Sequence, residues 1–62
     1  MNTHPVALYR SEAGLSQADL GEAVGCSRWM INRIEMGDRS PSTSLLRRLV
    51  DTTGVSADSI LA

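Results

Sequence analysis

The 62-residue chain has one cysteine, one histidine, two aromatic residues and no apolar run approaching a membrane span, which takes roughly 20 residues. Cys26 alone excludes an internal disulfide, and Cys26 with His4 makes too few ligands for a structural zinc site. The N-terminus lacks the basic and apolar regions of a secretory leader, so a cytoplasmic protein with a reduced thiol is expected. No segment alternates apolar and polar residues with β-branched enrichment between turn signals, which removes the case for strands. Ser16, Ser27 and Cys26 have no His or carboxylate constellation beside them, and no glycine-rich phosphate loop is present. The expectation is therefore no catalysis, no cofactor and no metal. A net charge of -1 also lacks the positive excess of a bulk nucleic-acid binder.

Length and punctuation carry the positive signals. A chain this short forms one small domain, taken as residues 1–62. It hides only about 60% of its unfolded surface, which makes self-association an early expectation. Gly14, Gly25, Gly37 and Gly54 each follow a potentially helical stretch and suit helix C-caps. Thr3, Ser16, Ser27, Ser42 and Ser56 stand where N-caps are needed, with Asp19 three residues after Ser16. The spacing predicts five helices near 4–13, 17–24, 28–36, 42–53 and 57–61. Steps of three and four pick out Val6, Tyr9 and Ala13; Ala18, Leu20, Gly21 and Val24; Ile31 and Ile34; Leu46, Leu49 and Val50; and Val55, Ile60 and Leu61 as the inward side. Leu8 and Leu45 fall outside those stripes and read either as a self-association surface or as scattered surface leucines.

The second and third helices are separated only by Gly25, Cys26 and Ser27, a turn that lets two helices meet steeply. At about 100° per residue, Ile34 and Glu35 fall on the Ile31 side of the third helix, and Trp29, Asn32, Arg33 and Met36 fall opposite, with Arg28 near the edge. Exposed tryptophan is usually kept for binding; the alternative is that Trp29 folds sideways over the second helix as a core residue. A helix fits the DNA major groove, where Arg pairs with guanine, Asn with adenine and an aromatic ring covers a thymine methyl. Arg28, Trp29, Asn32 and Arg33 thus become candidates for base contact, although either arginine also suits a phosphate. Glu35, on the inner side, needs a partner. Arg10 shares a stripe with Val6 and Ala13, so an Arg10–Glu35 ion pair is expected; two solvated surface charges are the alternative.

The string GLSQADLGEAVGCSRWMINRIEMGDRSPS, followed by GVSADSIL, resembles the phage lambda-repressor and Cro-like helix-turn-helix regulators from about Val6 to Leu61. The resemblance implies an all-α, five-helix lambda-repressor-like domain with its helix-turn-helix at about 17–36, and no catalytic residues. It implies that Gln17, Ser27, Arg39, Ser40 and Ser42 hold DNA phosphates, though Gln17 also reads as a plain helix-start residue and Arg39 as a solvated loop charge. It also places Arg10 and Glu35 where the family commonly has a buried ion pair. Three features depart from the pattern. Gly21 stands where alanine is usual, at about 1 kcal/mol of helix propensity unless close packing requires it. Thr43 and Thr53 replace larger apolar residues, and Arg47 replaces a frequent leucine, so the fourth helix is expected to be loosely packed or rotated.

The charge is also polarised. Cys26 to Val50 holds Arg28, Arg33, Arg39, Arg47 and Arg48 against Glu35 and Asp38, whereas the rest holds Arg10 against Glu12, Asp19, Glu22, Asp51 and Asp58. The reading that follows is a transcriptional regulator, repressor- or Cro-like, that binds a palindromic double-stranded operator as a homodimer. The alternative is a protein-interaction or antitoxin-type module with the same fold, in which the Trp29 face binds another protein.

Overall fold

The computed structural model describes residues 4–61. Five helices occupy them in the order α1 (Pro5–Ala13), α2 (Gln17–Val24), α3 (Arg28–Met36), α4 (Thr43–Thr53) and α5 (Ala57–Leu61), within a residue of the expected spans. Ser16, Ser27 and Ser42 cap α2, α3 and α4 by accepting from the backbone N–H three residues on. At α2 the cap is reciprocal, because Asp19 also accepts from the Ser16 N–H at 3.0 Å. Ser56 Oγ likewise accepts from the Ser59 N–H at the start of α5. Thr3 lies outside the described residues, and the cap of α1 is His4, whose Nδ1 accepts from the Val6 N–H. With Nδ1 an acceptor, His4 Nε2 carries the proton and donates to the Ile60 carbonyl at 3.1 Å, tying the start of α1 to α5.

Each of α1 to α4 ends on a left-handed glycine. At Gly25, φ is 78°, which reverses the chain within the three residues between α2 and α3. The core draws on every helix: Val6, Leu20, Val24, Ile31, Ile34, Leu45, Leu49 and Ile60 form one buried cluster, edged by Tyr9, Cys26, Met30, Leu46, Val50 and Val55. Burial of each such aliphatic side chain stabilises by about 1.5–3 kcal/mol.

Several inward assignments change. Ala13, Ala18 and Leu61 are exposed, and Ala7 is buried beside Val6. Leu45, expected outside, is buried and is no part of a free surface; Leu8 is exposed. Helix α4 packs on α2 and α5 with Leu45 and Leu49, one turn apart, pointing inward and Leu46 and Val50 at the flanks. Its period fits either rotation, and the docking partners select one. Thr53 suits this arrangement without a large apolar group: its hydroxyl donates to the Leu49 carbonyl at 2.7 Å and accepts from the Val55 N–H. Arg48 anchors α4 to the helix-turn-helix, its Nε donating to the Val24 carbonyl at 2.7 Å.

Gly21 is accounted for by the turn. A Cβ there would stand 2.7 Å from the Cys26 carbonyl oxygen and 3.2–3.3 Å from backbone atoms of Ser27. Backbone cannot rotate aside as a side chain does, so the glycine lets the turn cross close over α2. Gly21→Ala should lower stability by about 1–2 kcal/mol, overpacking outweighing the gain in helix propensity. Chemical denaturation checks this, and a stabilised variant would refute the close-approach account.

Candidate nucleic-acid interface

The site is built on α3, with an inner face that anchors it and an outer face that displays it. On the inner face Ile31 and Ile34 enter the core, and Glu35 is buried with its side chain only 1% exposed. Arg10 reaches it from α1 through two parallel bonds, Nε to Oε2 at 2.7 Å and Nη2 to Oε1 at 3.0 Å. Arg10 Nη1 donates to the Leu15 carbonyl, and Gln17 Nε2 adds a third bond to Glu35 at 2.9 Å. Burial by itself would raise the Glu35 pKa, but the hydrogen bonds from Arg10 and Gln17, with the Arg10 charge, hold it below the usual carboxylate range. The bond to Glu35 raises the Arg10 pKa in turn. This cluster joins α1, the first residue of α2 and α3 into one frame, and so fixes the height and rotation of α3.

The outer face carries Trp29, 54% exposed, and Met36, 61% exposed. Trp29 lies outside the core. Its ring has Arg33 on one flank, guanidinium carbon 5.8 Å from the ring centre, and Arg39 from the following loop at 5.1 Å. Both distances are within cation–π range. Arg33 also donates from Nη1 to Asp38 at 2.8 Å and from Nη2 to Asn32 at 3.0 Å, and its Nε is buried without a hydrogen-bond partner. Trp29, Asn32, Arg33 and Arg39 therefore form one connected surface, with Asp38 at its edge. Arg28 is exposed at the first turn of α3 and, with Gln17, Trp29 and Asn32, lines a cleft of about 240 Å³ between the starts of α2 and α3.

The remaining expected phosphate contacts are arranged less uniformly. Gln17 lines that cleft, and one N–H of its amide goes to Glu35, which leaves the other to donate outward. Ser27 and Ser42 use a hydroxyl lone pair to cap α3 and α4 and keep an O–H to donate. Ser40 is exposed in the loop with Arg39. The first turn of α2 contains Asp19, whose hydrogen bonds from Ser16 lower its pKa, whereas the first turns of α3 and α4 contain no acid. An anion is thus better received at α3 and α4, where the helix dipole acts unopposed.

Two features of the site were not anticipated from the sequence. The Gln17–Glu35 bond depends on how α2 and α3 cross, which leaves no trace in residue spacing. The Arg33–Asp38 pair had a signal: opposite charges flank the Gly37 helix stop, close enough to meet when the chain turns back. Among the described residues, no group of three or more His, Cys, Asp or Glu side chains is placed to hold a metal ion. None of the helices is long and apolar enough to cross a membrane.

Comparison with known proteins supplies one match. A family model described as helix-turn-helix covers residues 6–60. No curated protein and no solved structure matches the chain.

Proposed function

The chain belongs to the Cro/C1-type helix-turn-helix family of DNA-binding regulators, and on that premise we propose that it is a sequence-specific, repressor- or Cro-like protein acting on a palindromic operator as a homodimer. The observation that carries this reading is the outer face of α3, where an exposed tryptophan is flanked by two arginines and joined to an asparagine. In the major groove Arg28 and Arg33 suit guanine edges, Asn32 suits adenine, and Trp29 covers a thymine methyl. Ser27, Arg39, Ser40 and Ser42 grip phosphates along the rim, with Gln17 assisting from the cleft. In this reading residues 1–62 act as one DNA-binding unit inside the cell.

Size supports the homodimer. Helix α3 has nine residues, about 13 Å of length, and so reads only a few base pairs. Two half-sites one helical turn apart lie about 34 Å centre to centre. A body measuring 25 × 22 × 20 Å leaves room for two copies side by side on one face of the duplex. Pairing them multiplies affinity through effective concentration.

Trp29 fluorescence, titrated with random-sequence and selected duplexes across a salt series, tests the proposal. Binding should weaken steeply with salt on a log–log plot, and selection should recover an inverted repeat bound by two copies. Absence of binding to any duplex at low salt would overturn the DNA reading, and a one-to-one complex on a selected site would overturn the homodimer.

A further inference from the structure

The Arg33–Asp38 pair is placed by the way α3 ends. The Asp38 N–H donates to the Arg33 carbonyl at 3.0 Å, and the Gly37 N–H donates to Ile34 at 3.1 Å, with Gly37 at φ 79°. This double closure of the helix end holds the Asp38 backbone against Arg33, whose guanidinium then meets the carboxylate at 2.8 Å. Both terminal nitrogens of Arg33 thereby carry an intramolecular acceptor, Asp38 on one and Asn32 on the other, while its Nε faces inward. A base edge or a phosphate oxygen approaching Arg33 meets a guanidinium with one N–H of each terminal nitrogen already engaged.

We propose that Asp38 is an internal competitor for Arg33, an acidic stand-in for the nucleic acid that lowers the affinity of the α3 face for duplex DNA. The proposal rests on the DNA-binding reading above. Three observations favour competition over simple bracing. Asp38 sits just past the C-terminal end of α3, where the helix carbonyls disfavour a carboxylate, so losing Arg33 leaves it in an unfavourable field. It is also bonded to Arg33 and adjacent in sequence to Arg39, the two arginines that flank Trp29, so its charge would repel a phosphate backbone brought to that face. The pair is partly open to solvent, with side chains 35% and 54% exposed, so exchange of partners needs no unfolding. Exposed pairs are weak, which makes Asp38 a brake of modest strength rather than a block.

The test compares wild type, Asp38→Asn, Arg33→Ala and the double variant by anisotropy of a labelled random-sequence duplex at low and moderate salt. Circular dichroism checks that each variant keeps its helices. Asp38→Asn should tighten binding by about two- to fivefold, within the range an exposed pair supports, and in the Arg33→Ala background it should change affinity by less than about 1.5-fold. Unchanged or weaker binding by Asp38→Asn overturns the inference, because the carboxylate would then brace Arg33. An equal gain with and without Arg33 also overturns it, because the effect would then be general charge removal. If neither wild type nor Asp38→Asn binds any duplex, the DNA reading fails and the inference falls with it.

Discussion

Arg10→Ala is expected to destabilise the fold by about 3–5 kcal/mol at neutral pH, the cost of leaving a buried carboxylate without its countercharge. Domains have about 0.05–0.15 kcal/mol of stability per residue, or roughly 3–9 kcal/mol for 62 residues, so the loss removes a third or more of the total. Circular dichroism should show the variant unfolding at a much lower denaturant concentration than wild type at neutral pH. The size of the effect follows from asymmetry within the pair: Glu35 is almost fully enclosed, whereas Arg10 retains 21% of its side-chain exposure. Once Arg10 is gone, the bond from Gln17 remains, but an amide carries no charge and cannot offset the desolvation of the carboxylate.

The pH dependence separates this account from a loss of packing. In the wild type the folded-state pKa of Glu35 is held below its ordinary value of 4.5. Its contribution is therefore fully present above that value and is lost as pH falls through the lower folded-state pKa. In Arg10→Ala, burial becomes the dominant influence and pushes the Glu35 pKa upward, so acidification neutralises a costly charge and favours folding. The stability gap between the two proteins should begin to narrow above pH 4.5, where the variant's Glu35 takes up its proton, and go on narrowing below 4.5 as the wild type loses its contribution. A gap that stays constant with pH in denaturation curves would show that the ion pair is not the source of the loss.

Trp29→Ala has the second largest expected effect and acts on the opposite face. It should lower affinity for a selected duplex by about 30- to 100-fold while costing the fold no more than the two exposed cation–π contacts, about 1–2 kcal/mol. The ring is outside the core, so truncation opens no cavity. In the proposed complex it would lose its contact with a base and the platform that orders Arg33 and Arg39. A tryptophan at the centre of an interface typically contributes 2 kcal/mol or more on truncation, and cation–π contacts contribute about 0.5–1 kcal/mol each at exposed sites. Anisotropy with a labelled duplex measures the loss, and thermal denaturation measures the fold. A variant that binds as tightly as wild type would remove Trp29 from the interface, and a large fall in melting temperature would return it to a structural role.

The two variants mark how differently the faces of α3 can be read from its sequence. Ile31, Ile34 and Glu35 are assigned inward by helical period alone, and the same period puts Trp29 and Met36 outside. The Arg10 partner is legible for a related reason: a carboxylate on an inward stripe requires a cation on a neighbouring one, and Arg10 is the arginine on the first helix. The outer face is legible as a set of residue types but not as an arrangement. Nothing in the spacing says that Arg33 is engaged by Asn32, or that Arg39 returns over Trp29, because those meetings depend on side-chain rotamers and on the path of the chain after Gly37.

Local chemistry explains what the sequence determined by itself. Helix caps, left-handed glycines and apolar period act over one or two turns, so the five helices, their limits and the inner face of α3 follow from residues close to one another. The tertiary structure decided whatever depended on an element's neighbours. It turned Leu45 inward because α2 and α5 selected one rotation of α4 from two that its period allows. It directed the Gln17 amide to Glu35 because α2 crosses α3 there. It required glycine at position 21 because the turn backbone passes 2.7 Å from where a Cβ would stand. Each of these is a distance between segments, set only when the helices pack.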